Sequence, residues 1–114
     1  MSLRFVDMLL RYPISIAEGN VTVLVPDPAA FCLHKLLIAK RRKRAESRLK
    51  DIEQALHVSA IVNRTTLKRI YQELPNTWRR AIIQGLERTL HSQVLLRREA
   101  QELFDTLQGF ESRR

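Results

Sequence analysis

The sequence predicts a mainly α-helical protein in which a small N-terminal β-hairpin precedes a helical bundle. Three observations carry that expectation. The 114 residues include only three glycines, Gly19, Gly85 and Gly109, which favours helices and leaves no glycine-rich phosphate loop. Apolar residues recur at helical spacing along most of the chain. The β-branched run Val21 to Val25 (VTVLV) follows turn chemistry at Glu18-Gly19-Asn20.

Taken in order, Leu3 to Tyr12 reads as a helix through Leu3, Val6, Leu9 and Leu10. Pro13 stops it, because the residue before a proline is pushed out of the helical region. Ile14 to Ile16 and Val21 to Val25 then form the hairpin. Pro26-Asp27-Pro28 breaks the second strand and opens the next helix. Asp27 is placed to cap the first turn, and Pro28 suits the first helical position, where its missing N–H costs nothing. That helix runs through Phe31, Leu33, His34, Lys35, Leu37, Ile38 and Ala39 to about Arg42. Lys40 to Arg44 either continue it or form a joint. A second helix from Ala45 carries Leu49, Ile52, Glu53, Leu56 and His57. Asn63 or Thr65 caps a third, with Leu67, Ile70, Tyr71 and Leu74.

Pro75-Asn76-Thr77 is another break. From Trp78 a stripe of Ile82, Leu86 and Leu90 continues to Val94 and Leu95, then to Leu103, Leu107 and Phe110. It fits one long helix or two joined near His91-Ser92, with Gly109 as the stop. Four to six helices are expected. No repeat and no Ser/Gly linker divides the chain, so 1–114 is expected to be a single domain. The Trp78 stripe suits an intramolecular core; an oligomerisation face is the other use of such a stripe.

Composition bounds the function classes. With 45% hydrophobic residues the chain is not disordered by composition, and a chain of this length buries roughly two thirds of its unfolded surface. Aromatics are sparse, so Leu, Ile, Val and Ala must make the core. Cys32 is the single cysteine, which excludes an internal disulfide and suggests a reducing compartment. No apolar run approaches the ~18 residues of a membrane span, and no secretory leader is present. The expectation is a soluble cytoplasmic protein without a membrane partner. The net charge of +8 fits either an ordinary basic surface or a polyanion partner such as nucleotide phosphates, RNA or DNA.

The densest signal is KRRKRAESRLK. Lys40, Arg41, Arg42, Lys43, Arg44, Arg48 and Lys50 stand against a lone Glu46. A solvated helix face explains such a run, and so does a phosphate-facing patch that works by neutralisation and counterion release. No aromatic residue interleaves it, so base stacking is not suggested. His34, His57 and His91 lack partners at zinc-ligand spacing, and no metal site is expected on this chain. Cys32 has no catalytic cysteine signature and reads as core. Ser59, Ser92 and Ser112 lack a nucleophile-elbow context. Asp51-Ile52-Glu53 would grip a cation from a strand. On a helix the two carboxylates point roughly 200° apart, so the pair is set aside as a metal clamp. Asp51 reads instead as an ion-pair or positioning residue near Lys50 and Arg48.

One stretch carries a resemblance. Val23, Val25, Pro26, Pro28, Phe31, His34-Lys35-Leu36, Ile38, Arg41-Arg42 and Lys50-Asp51 stand in an order that resembles the post-catalytic segment of a bacterial nucleotidyltransferase family of the polymerase-beta-like superfamily. The order is similar to that in nucleotidyltransferase toxins of abortive-infection type. The resemblance spans about Val21 to Val58, extends loosely to the leading LRFVDMLLRYP, and finds nothing diagnostic beyond Ile61. It implies that Lys35 contacts the phosphates of a nucleoside triphosphate, with Arg42 and Lys50 as supporting cations and Asp51 as an orienting residue behind them.

The superfamily's Gly-Ser pair and strand-borne acidic pair are not in this sequence. The resemblance therefore implies that the catalytic half, with its magnesium, lies N-terminal to Leu3. The chain is expected to be the C-terminal part of a longer nucleotidyltransferase. By itself it is expected to be inactive, to hold no catalytic residue and to bind neither magnesium nor nucleotide tightly. The competing expectation is a non-enzymatic basic helical module that binds nucleic acid through Lys40, Arg41, Lys43, Arg44 and Arg48.

Overall fold

In the computed structural model, residues 9, 11–92 and 96–112 are described. Two strands are followed by five helices: β1 (Pro13–Glu18), β2 (Val21–Pro26), α1 (Pro28–Arg41), α2 (Ala45–Ser59), α3 (Arg64–Glu73), α4 (Asn76–Ser92) and α5 (Arg97–Ser112). The predicted leading helix lies largely outside the described residues, which hold only its Leu9, Arg11 and Tyr12. Val94 and Leu95 also fall outside them.

β1 and β2 pair antiparallel from Pro13↔Pro26 to Glu18↔Val21. β1 is longer than Ile14 to Ile16. The turn needs glycine where it has one: Gly19 sits at φ 61°, a left-handed conformation that a side chain disfavours. The hairpin is closed at its base by the Asp27 N–H donating to the Tyr12 carbonyl at 2.8 Å. Beyond that base it is sparsely covered, and Ile16, Val21, Val23 and Leu24 are exposed.

α1 begins as its sequence dictates. The Asp27 carboxylate accepts from the Ala29 N–H at 2.8 Å, and Pro28 takes the first position. The helix is apolar nearly all round, which marks a buried helix rather than an amphipathic surface one. Ala29, Ala30, Cys32, Leu33, Leu36 and Leu37 are all closed to solvent, and α1 packs against α2, α3 and α4. α3 is capped by Asn63, whose side chain accepts from the Thr66 N–H at 3.0 Å; Thr65 lies inside the helix.

The Trp78 stripe is two helices. α4 brings Ile82 and Leu86 into the core and α5 brings Leu103 and Leu107. Gly109 does not end α5, which continues to Ser112. Gly109 keeps a negative φ, and the extra turn lets Phe110 meet the buried Tyr71 with ring centroids 6.0 Å apart. Packing outweighs the roughly 1 kcal/mol that glycine costs inside a helix.

Candidate functional site

The site forms where α1 hands over to α2. α1 ends at Arg41, and Arg42 turns to extended backbone (φ −73°, ψ 134°). With Lys43 and Arg44 it forms the joint before α2 starts at Ala45. The joint is stitched by Arg48, whose Nη1 donates to the Arg42 carbonyl at 3.0 Å and the Lys43 carbonyl at 3.3 Å. Those are carbonyls just past a helix end, where a cation is favoured.

Reversal at this joint folds α2 back along α1 and carries Asp51 under it. Asp51 is a buried charged residue, its side chain 6% exposed, and it is held by two cations from different places. Arg42 donates from Nε to Oδ2 at 2.9 Å. Lys35 brings its Nζ to 3.6 Å of Oδ1. The Lys35 ammonium also lies 5.5 Å from the centroid of the Phe31 ring, one turn earlier on α1. The carboxylate thus gathers two positive groups at one point of the α1–α2 seam. Lys35 is 20% exposed and Arg42 49%, so both also face solvent.

Three of the four residues that the resemblance singles out therefore meet: Lys35, Arg42 and Asp51. Lys50 does not join them. It is exposed on α2 and makes no hydrogen bond or ion pair among the described residues. The partners of Asp51 are also not the sequence neighbours first expected. Arg48 is committed to the carbonyls of the joint, and Lys50 leaves the helix about 100° away from Asp51. Asp51 and Glu53 both lie within α2, so the segment is helical as the sequence predicts.

Beside this trio lies His34. It is buried, 4% exposed, and neither ring nitrogen has a hydrogen-bond partner among the described residues. Burial lowers its basicity, the positive charge of Lys35 lowers it further, and Asp51 partly opposes both. The surroundings thus favour the neutral imidazole next to a charged cluster. His57 and His91 are exposed. Cys32 is a closed core residue whose thiol burial pushes up to about 12, far from the thiolate that nucleophilic or redox chemistry requires.

The rest of the basic run is surface. Lys40, Arg41, Lys43 and Arg44 are exposed around the joint, and Lys40 donates to Gln84 of α4 at 2.6 Å. These residues do not fit a magnesium ion. Among the described residues no three His, Cys, Asp or Glu side chains converge, and the Asp51 carboxylate is already shared by two cations. Among the same residues no helix is long and apolar enough to cross a membrane.

A family model described as Nucleotidyltransferase matches residues 1–82 of the 114. The chain belongs to that nucleotidyltransferase family. The match takes in the hairpin, the trio and α3, and stops within α4, where Ile82 enters the core. No curated protein and no solved structure matches the chain.

Proposed function

We propose that this member of the nucleotidyltransferase family works on a nucleoside triphosphate, and that Lys35 and Arg42 contact its phosphates while Asp51 fixes their positions. The observation that carries the reading is the convergence of the two cations on one buried carboxylate, with both still open to solvent. In nucleotidyl transfer an acceptor hydroxyl attacks the α-phosphorus and pyrophosphate departs. Charge accumulates on the leaving oxygens, where fixed cations lower the barrier. Asp51 holds Lys35 and Arg42 in place before the substrate arrives, so less ordering is needed at the moment of binding. Lys50, exposed nearby, adds to the local positive potential. Membership of the polymerase-beta-like superfamily, a bacterial source and a cytoplasmic location are part of this proposal. So are magnesium and its carboxylates, which belong on a part of the protein other than these residues.

The test is nucleotide binding by the complete protein in the presence of magnesium, followed by calorimetry. Lys35→Ala and Arg42→Ala should each weaken triphosphate binding about tenfold or more, the scale of a lost charge-assisted contact. No nucleotide binding, or full affinity in Lys35→Ala, would sink the reading.

A second reading rests on the exposed cations of the joint. Arg41, Lys43 and Arg44 are exposed together with Lys40, beside the half-buried Arg48, and such a group of cations suits an RNA or DNA backbone. It requires binding that falls steeply with salt and weakens on Lys43→Glu with Arg44→Glu, indifferent to triphosphate. Salt-independent binding, or none, excludes it.

A further inference from the structure

A cleft of about 390 Å³ opens between α1, α2 and α4, apart from the Lys35–Asp51 contact. Its floor is largely aliphatic: Ala39, Leu49, Ile52 and the open backbone of Gly85, beside the buried Thr89, whose hydroxyl donates to the Gly85 carbonyl. Leu49 is 41% exposed, one of the few large apolar side chains on the helical part of the surface. Gly85 lies in the middle of α4, where glycine is unfavourable, and a Cβ added there would meet nothing within 4 Å. The missing side chain is what keeps the floor deep. Around the rim stand Lys40, Arg48 and Arg88. Among the described residues neither a carboxylate nor an aromatic ring lines the cleft.

We propose that this cleft is a docking site for an acidic amphipathic helix of a partner protein. The cleft complements such a helix in both shape and charge. Aliphatic anchors at one-turn spacing would fill the floor over Leu49 and Gly85, as in helix-in-groove recognition. Glu or Asp residues flanking those anchors would meet Lys40, Arg88 and the guanidinium N–H groups of Arg48 other than Nη1, with no like charge among the described lining residues to oppose them. A nucleic acid shares the charge but not the shape of the argument. Base recognition on such a surface relies on aromatic platforms, and this floor has none. The site does not depend on the nucleotidyl-transfer reading, because it uses neither Lys35 nor Asp51.

The probe is a fluorescein-labelled synthetic helix with Leu at successive one-turn positions and Glu on both flanks. Its anisotropy is followed as the full chain is titrated. Controls are a scrambled peptide of the same composition and a single-stranded oligonucleotide. Saturable binding of the helix is expected, at least about tenfold tighter than the scrambled peptide and weakened by salt. Gly85→Leu fills the floor and removes a helix-interior glycine, so it should lower the affinity by about tenfold or more while the melting temperature holds or rises. Leu49→Glu should do the same from the exposed side. Equal binding of the scrambled peptide, binding that survives both substitutions, or preference for the oligonucleotide in a manner lost on Gly85→Leu would overturn the proposal.

Discussion

Replacing Asp51 with Asn removes the charge that gathers Lys35 and Arg42 while keeping the side chain's volume. Deleting one member of a buried ion pair costs about 3–5 kcal/mol when the remaining charge stays trapped. An exposed pair is worth only about 0.2–1 kcal/mol. The Asp51 cluster lies between these limits, since the carboxylate is 6% exposed whereas Arg42 is 49% and Lys35 20% exposed. On losing the carboxylate, Arg42 can turn into water and Lys35 can extend its stem outward. The Asn oxygen still accepts a hydrogen bond from Arg42. The expected loss is therefore about 1–2 kcal/mol, intermediate between the two cases. For a chain of this length that lowers the melting temperature by about 4–8 °C. Urea denaturation followed by far-ultraviolet circular dichroism measures it directly. A variant as stable as the parent, or more so, would show that desolvating the carboxylate costs as much as its two partners return. The gathering argument would then be wrong.

Three further outcomes are expected. His34 titrates below its ordinary value of 6.5 in the folded state, so the unfolded chain binds its proton more readily. Its contribution is complete above pH 6.5 and is lost as pH falls from there toward the folded value; a His34→Gln variant should flatten that part of a melting-temperature profile. Cys32, fully buried with its thiol pushed up to about 12, should resist a thiol-disulfide reagent in the native state and react at once in denaturant. Equal rates in the two states would contradict the closed core. Asp27→Ala removes the N-cap of α1 and should cost about 1 kcal/mol by denaturation.

The parts of the fold that were legible in the sequence are those set by local chemistry. Asp27-Pro28 and Asn63 start helices because a side-chain acceptor or a fixed φ acts within a few residues. The stripe of Ile82, Leu86, Leu103 and Leu107 enters the core because helical period alone places it on one face. Gly109 misled because its local preference was outweighed by Phe110 reaching Tyr71, a contact made by residues far apart in the chain. β1 extends past Ile16 because pairing with β2 imposes extended backbone on Pro13, Ala17 and Glu18, none of which favours a strand by itself.

The site was half legible. Lys35, Arg42 and Asp51 stood out through a family resemblance, but their meeting depends on the way α2 folds back on α1. Sequence proximity pointed Asp51 to Arg48 and Lys50 instead. One sign of its burial was available: Asp51 precedes the buried Ala55 by one helical turn, so it occupies a core-facing position where an unpaired carboxylate would not be tolerated. The cleft beside Gly85 left only a faint mark, a glycine inside an otherwise strongly helical stripe.

The burial of α1 on nearly every side has a consequence for how the protein is made. Among the described residues, the helices that pack most closely on it, α2, α3 and α4, all follow it in the chain. During synthesis the part of α1 that packs on α4 must therefore wait uncovered until α4 has been released. A nascent chain in that interval is a target for chaperones and a hazard for self-association. A fragment cut after Glu73 would remain in that condition permanently, lacking Ile82 and Leu86. Solubility should thus return in a series of lengthening fragments only once α4 is included.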